Sequence, residues 1–371
     1  MRTPSDARRL DLSGKFVMPG MFDMHAHSTL NPSPETYLAR RVAEGVLSIR
    51  DMGASFESIP NLSRPPSPDG PPRPRIWFTG PIMDGTRVGG EAFRIFVDEP
   101  TAVRAAVERL KAAHVQFIKV HDWLRADVYA EVTRAARAAD LPVVGHIPAS
   151  VTAETLIESG QRSIEHMGST THGVLRSCST TTVASPDTLR TAVGEEINAY
   201  AAAMSDAYLT PLLDGFNPDR CRVLIGRLAK AKVWQVPTLS WWQWVADEPP
   251  RVWKGPIPRL LTILLRITGM MAEAGVPVMT GLDGARAKTL PDELELLVRA
   301  GLSPAGALRA ASLAPAEFLG ARDSLGAIKV NYLADLIVLE DNPLDDVRNT
   351  RHIFAVVMNG RFIPKSEFSK F

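Results

Sequence analysis

Six side chains in this sequence carry metal-ligating or acid-base groups at spacings that bring them together. In MPGMFDMHAH, His25 and His27 stand two residues apart at the end of an apolar run. On a strand, residues two apart point to the same side, so both imidazoles can chelate one ion. Lys119 lies inside the apolar FIKVHD, where an unpaired ammonium is costly to bury. His146 sits in VVGHIP, His166 in SIEHM, and Asp283 near the end of VPVMTGLDG. One histidine at a strand end is ordinarily a packing residue. Four histidines, a lysine and an aspartate, each carried by a similar run, point instead to one shared site. Imidazole and carboxylate are also the ligands that suit zinc and similar divalent ions.

The runs carrying these residues alternate with helical patterns, which predicts parallel βα units. Eight strands are expected, at 16–24, 46–52, 75–83, 117–121, 142–147, 163–167, 234–239 and 277–282. Helices are expected at 101–113, 126–139, 152–158, 257–274 and 291–300, where apolar residues recur three or four apart. The expected fold is therefore an α/β, TIM-type (β/α)8 barrel, whose active site gathers at the C-terminal ends of its strands. Every candidate above lies at such an end. The barrel is expected over residues 16–323. Beyond it, GAIKVNYLADLIVLEDNP and IFAVVMNGRFI alternate like strands, so residues 324–371 are read as a small β appendage and residues 1–15 as its N-terminal remnant. The Pro-rich stretch 60–75 is expected to be an extended surface loop.

A length of 371 residues fits one barrel with a small addition, and 45% apolar with 22% charged residues is the composition of a globular protein. Lys and Arg number 42 against 41 Asp and Glu, so no broad field attracts nucleic acid or anionic lipid. A small-molecule substrate is the expected partner, with no nucleic acid and no membrane. Arg259 and Arg266 interrupt the greasiest stretch, which reads as a one-sided helix. The opening MRTPSDARRLDLSGK has no apolar signal-peptide core, so the chain as written is expected in the cytoplasm, and a secreted form only if its start is truncated. Cys178 and Cys221 are too few for a disulfide framework and form no CxxC pair, which is compatible with a reducing compartment.

In type and order the six residues resemble the amidohydrolase superfamily: HxH after the first strand, Lys after the fourth, His after the fifth and sixth, Asp after the eighth. The chain is most similar to the imidazolonepropionase-like and Xaa-Pro-dipeptidase-like branch, through GVLSIRDMGA, QFIKVHD, LPVVGHI, SIEHM, the stretch from DELELLVRAGLSPAGALRAAS to APAEFLG, and YLADLIVLEDNPL. The resemblance implies two divalent metal ions, zinc by ligand type. His25, His27 and Asp283 would hold the first and His146 and His166 the second. Lys119 would be converted by carbon dioxide to a carbamate that binds both. Because imidazolonepropionases use one metal without such a lysine, Lys119 points toward peptidase-like and amidase-like members. The implied activity is hydrolysis by a metal-bridged hydroxide, with Asp283 as base and acid, of an amide or peptide bond in a dipeptide, N-acyl amino acid or similar molecule. The alternatives are a ring-opening hydrolase of a cyclic amide, lactone or xenobiotic, and an inactive barrel scaffold.

The chain departs from this pattern in two places. Members usually build the small β domain from both termini, whereas His25 comes almost at once here, so either the start is truncated or the appendage is reduced. An appendage built mainly from the C-terminal end would have an exposed edge, which predicts a homo-oligomer. Asn331 takes the approximate place of the usual glycine before ADLIVL and is the next best residue for a left-handed turn. Asp335 in that motif is expected to brace the appendage.

Other residues have two readings each. His121, two beyond Lys119, faces either the substrate or a ligand's second partner. Trp241 and Trp242 open WWQW after the seventh strand, as an aromatic wall for the substrate or as ordinary packing. His172 follows His166 in a loop. His114 and His352 read as surface or capping residues, and Asp23 and Asp51 as hydrogen-bonding residues of the rim.

Overall fold

The computed structural model describes residues 9–65, 70–85, 91–183, 202–248, 255–284 and 288–370. Nine of its strands lie in two parallel sheets. One joins β2 (Met21–Ala26), β3 (Val46–Asp51) and β4 (Arg75–Phe78) in that order. The other contains β5 (Ile82–Asp84), β6 (Arg94–Phe96), β7 (Ile118–Val120), β8 (Val143–Gly145), β9 (Ser163–Glu165) and β10 (Trp234–Val236), in the order β10-β9-β8-β7-β5-β6. Parallel neighbours need a crossover, and between β7 and β8 the helix Ala126–Ala139 supplies it. Its apolar residues recur at helical spacing, so Val128, Tyr129, Val132 and Ala136 are buried on one face.

Hydrogen bonds link the two sheets in two places. The Gln116 amide donates to the Phe78 carbonyl at 3.1 Å. On the other side the segment around Val278 bridges in parallel to Gln235 of β10, and Met24 of β2 donates to Thr280 at 2.9 Å. The helix Ile257–Glu273 leads into that segment, burying Leu260, Leu261, Leu264 and Met271 while Arg259 and Arg266 face outward. No helix among the described residues is long and apolar enough to cross a membrane.

The single strand expected at 16–24 is two. β1 (Phe16–Pro19) leaves the parallel sheet and pairs antiparallel with β11 (Leu336–Leu339), giving a four-stranded sheet β1-β11-β12-β13 with β12 (Ile353–Met358) and β13 (Arg361–Pro364). Gly20 is the switch. A Cβ there would lie 2.6 Å from the Leu47 side chain, so only glycine lets the chain pass from one sheet to the other. Asp335 does brace this sheet: its carboxylate accepts from Arg75 Nε at 2.6 Å and from the Asn359 amide. Asn331 adopts the left-handed conformation, φ 70°. The third expected strand is broken at Gly80 into β4 and β5. Part of the Pro-rich segment lies outside the described residues, and its start joins Ile59 in one helical turn, Ile59–Leu62.

The two cysteines are joined. Cys178, closing the helix Gly173–Cys178, bonds Cys221 in the helix Pro218–Ala231, and both are fully buried. With a sequence separation of 43 and no motif around either, the pairing leaves no local signal in the sequence.

Candidate active site

All six predicted side chains are brought together at the C-terminal ends of the parallel strands. His25 is in β2 and His27 just after it, Lys119 is central in β7, His146 follows β8, His166 follows β9, and Asp283 follows the Val278 segment. His27, Lys119, His146, His166 and Asp283 line one cavity of about 290 Å³, with His25 fully buried behind them. The Asp283 carboxylate is 3.4 Å from His25 Nε2, 3.3 Å from His27 Nε2 and 3.7 Å from His166 Nε2. Lys119 Nζ lies 3.1 Å from His25 Nε2.

The backbone carries strain at this rim. His166, Thr238 and Asp283 have φ of 53°, 46° and 53°, a region that costs non-glycine residues on the order of 1–3 kcal/mol each. Hydrogen bonds from the Asp283 amide to the His25 carbonyl (2.7 Å) and from the His166 amide to Val236 (2.9 Å) hold two of these turns. Gly145 serves His146 in another way. A Cβ at Gly145 would stand 2.2 Å from the Val120 carbonyl, so the strand ending in His146 can lie close to the strand of Lys119 only with glycine there.

Three of the histidines have their Nδ1 engaged by a buried partner. His25 Nδ1 meets Glu165 at 2.9 Å, His146 Nδ1 meets Asp122 at 2.9 Å, and His166 Nδ1 meets Thr238 at 2.6 Å. A partner on Nδ1 orients the ring and leaves Nε2 for a ligand. Glu165 is held by Arg50, whose Nη2 is 2.8 Å away, and both are fully buried. Glu165, Arg50, Asp122 and Thr238 were not singled out from the sequence. A glutamate directly before His166 and an arginine inside the apolar VLSIRDM were the available signals.

Burial dominates the protonation states. It holds the imidazole of His25 well below its ordinary range, and those of His146 and His166 at about 4 and about 3, so all three are neutral near pH 7. Burial likewise lowers the Lys119 amine to about 8, against the opposing pull of Asp283 and Glu165. For Asp283, burial alone would raise the carboxyl. The imidazoles of His166 and His27 outweigh it, and the group stays ionised.

The donor set fits a metal centre. His25, His27 and Asp283 offer ligand atoms within 4.8 Å of one another, and so do His121, Asp122 and His146. His146 Nε2 and His27 Nδ1 are buried with no hydrogen-bond partner among the described residues. Lone pairs left unmet in this way are expensive unless a cation or water takes them.

His121 stands beside His146, ring centres 4.3 Å apart, and its Nδ1 is 2.9 Å from Asp84. Trp241 and Trp242 both line the cavity, but Trp242 is almost wholly buried in the core while Trp241 is partly open. Glu293 fixes the start of their helix, Leu239–Asp247, by accepting from the Leu239 and Ser240 amides. His172 is buried, its Nε2 3.1 Å from the Ala203 carbonyl, and does not line the cavity. Asp51 accepts from Ser28 and Gly53, Asp23 accepts from the His25 and Leu282 amides, and His352 pairs with Asp341 at the surface.

Residues 262–363 match the amidohydrolase family. Among curated proteins none matches the chain in sequence. Solved structures with a similar fold include a Xaa-Pro dipeptidase with methionine bound in its active site, at 18% identity and TM-score 0.66 over 98% of this chain and 90% of that one. A prolidase complexed with N-methylphosphonate-L-proline matches at 19% identity and TM-score 0.67, over 98% of this chain and 91% of that one. Ochratoxinase of A. niger matches at 16% identity and TM-score 0.67, over 93% and 82%.

Proposed function

We propose that this chain is a metal-dependent amidohydrolase, a (β/α)8 barrel that hydrolyses an amide or peptide bond in a small substrate. The observation that carries the reading is the convergence of His27, Lys119, His146, His166 and Asp283 on one cavity, with His25 behind them. The hydrogen bonds that link the two sheets support the barrel. The match of residues 262–363 supports the family, and neighbours that include a dipeptidase and a prolidase support amides of amino acids as substrates.

His25, His27 and Asp283 would hold one divalent ion, and His146 and His166 a second. With the amine lowered to about 8, part of Lys119 is uncharged near neutrality. Its nitrogen can attack carbon dioxide and release a proton, leaving an anionic carbamate able to bind both ions where an ammonium could bind neither. What bound metal supplies here is Lewis acidity toward the scissile carbonyl and a lowered pKa of water. Asp283, ionised and facing the cavity, takes the proton of the attacking water and returns it to the leaving nitrogen. Trp241, Leu30, Ile82 and Phe93 give the cavity apolar walls.

A panel of N-acyl amino acids, dipeptides and lactones, assayed with zinc and bicarbonate, tests the reading. Turnover of amides that is lost in Asp283→Asn is the expected result. Turnover of lactones alone would transfer the site to ring opening, and no turnover of any member would defeat the reading.

A further inference from the structure

We propose that Arg94 recognises a carboxylate on the substrate, so that the amides cleaved are those of amino acids with a free carboxyl group close to the scissile bond. The inference rests on the hydrolase reading above and names the residue that reads the carboxylate of its substrate.

Arg94 begins β6, is 13% exposed, and lines the same cavity as Lys119 and Asp283. Asp84, wholly buried at the end of β5, fixes it. One Asp84 oxygen receives Arg94 Nη1 and lies 2.9 Å from His121 Nδ1, while the other accepts the Gly85 and Trp123 amides. A single carboxylate thus holds Arg94 and lies close to His121 on one wall. Arg94 and His121 have no part in the proton transfers assigned to Asp283.

A guanidinium has five N–H donors in a planar fork. Asp84 takes one of Arg94's, and Arg94 Nε is buried with no hydrogen-bond partner among the described residues. The fork matches a carboxylate, and a charge-assisted pair is among the strongest polar contacts available. In the same cavity Trp241 and Leu30 offer apolar surface for the amino-acid side chain.

The test compares N-acetyl-L-phenylalanine with its carboxamide on zinc-loaded protein in bicarbonate. For wild type, kcat/KM should favour the acid by about 10- to 100-fold, mostly through KM. In Arg94→Met the ratio of the two substrates should fall to near one, and Arg94→Lys, which keeps charge but not the fork, should keep part of it. Equal rates for acid and carboxamide in wild type, or a ratio unchanged in Arg94→Met, overturns the proposal while leaving amide hydrolysis intact. Should Arg94→Met not fold, the wild-type ratio and that of Arg94→Lys carry the same comparison, and an undiminished ratio in Arg94→Lys overturns the proposal. A calorimetric titration with 3-phenylpropionate and 3-phenylpropionamide needs no turnover, and so tests the carboxylate site even if the hydrolase reading fails. Binding of the acid at least tenfold tighter in wild type and weakened in Arg94→Lys supports that site. Equal binding of the two compounds overturns it.

Discussion

Replacing Arg50 by methionine should destabilise the fold and loosen the metal centre together. Arg50 Nη2 lies 2.8 Å from Glu165 Oε1, Arg50 Nε donates to the Met24 carbonyl at 2.8 Å, and neither charged side chain reaches solvent. Methionine fills much of the same space but leaves Glu165 with Ser163 and His25 as its contacts. Removing one member of a buried ion pair costs about 3–5 kcal/mol. An unfolding entropy of about 2.1 cal/mol/K per residue over 371 residues turns this into a fall in Tm of about 4–6 °C. Burial already raises the Glu165 carboxyl and Arg50 opposes it. Without Arg50 the protonated acid is favoured, the hold on His25 Nδ1 is weakened, and metal affinity should drop about 10- to 100-fold. Calorimetry and chelator competition read the two effects. The double variant Arg50→Met/Glu165→Met has no unpaired buried charge and should regain most of the lost stability without regaining metal affinity. A Tm change below about 1 °C in Arg50→Met, or a double variant less stable than either single one, would refute the reasoning.

Trp241→Ala should raise KM for bulky substrates with Tm nearly unchanged, whereas Trp242→Ala, which empties a core position, should cost about 3–5 kcal/mol; kinetics and melting curves separate them. Cys178→Ala/Cys221→Ala opens a loop with a sequence separation of 43. Chain entropy assigns that closure about 4 kcal/mol, a Tm loss of about 5 °C, and an unchanged Tm would count against the bridge. His172 is buried and lowered to about 4, chiefly by burial, from an ordinary 6.5. As pH falls from 6.5 toward 4 the unfolded chain takes up a proton that the folded chain refuses, so stability declines by about 1.4 kcal/mol per unit in that window. Denaturant titrations of His172→Phe should lack this component of the acid limb.

What the sequence made legible was whatever repeats at short range. Apolar periodicity located Ala126–Ala139 to the residue, and polar groups inside or closing apolar runs located Lys119, His146 and Asp283, because such residues stand out locally. Pairings across the chain left no such mark. Arg50 and Glu165 are 115 residues apart, and Cys178 and Cys221 are 43 apart. Asp84 and Arg94 meet across two adjacent strands in a region without helical or alternating pattern. The switch at Gly20 was hidden because Phe16–Pro19 and Met21–Ala26 read as one apolar run. Only the side chain of Leu47, brought in by the next strand, shows why the residue between them must be glycine.

Metal content tests the central claim most directly. Protein produced with zinc and bicarbonate should carry about two divalent ions per chain by elemental analysis. Lys119→Ala should lose metal and activity together, with partial rescue by short carboxylic acids. Wild-type protein that binds no metal under these conditions, or a Lys119→Ala variant with full occupancy and rate, would contradict the account.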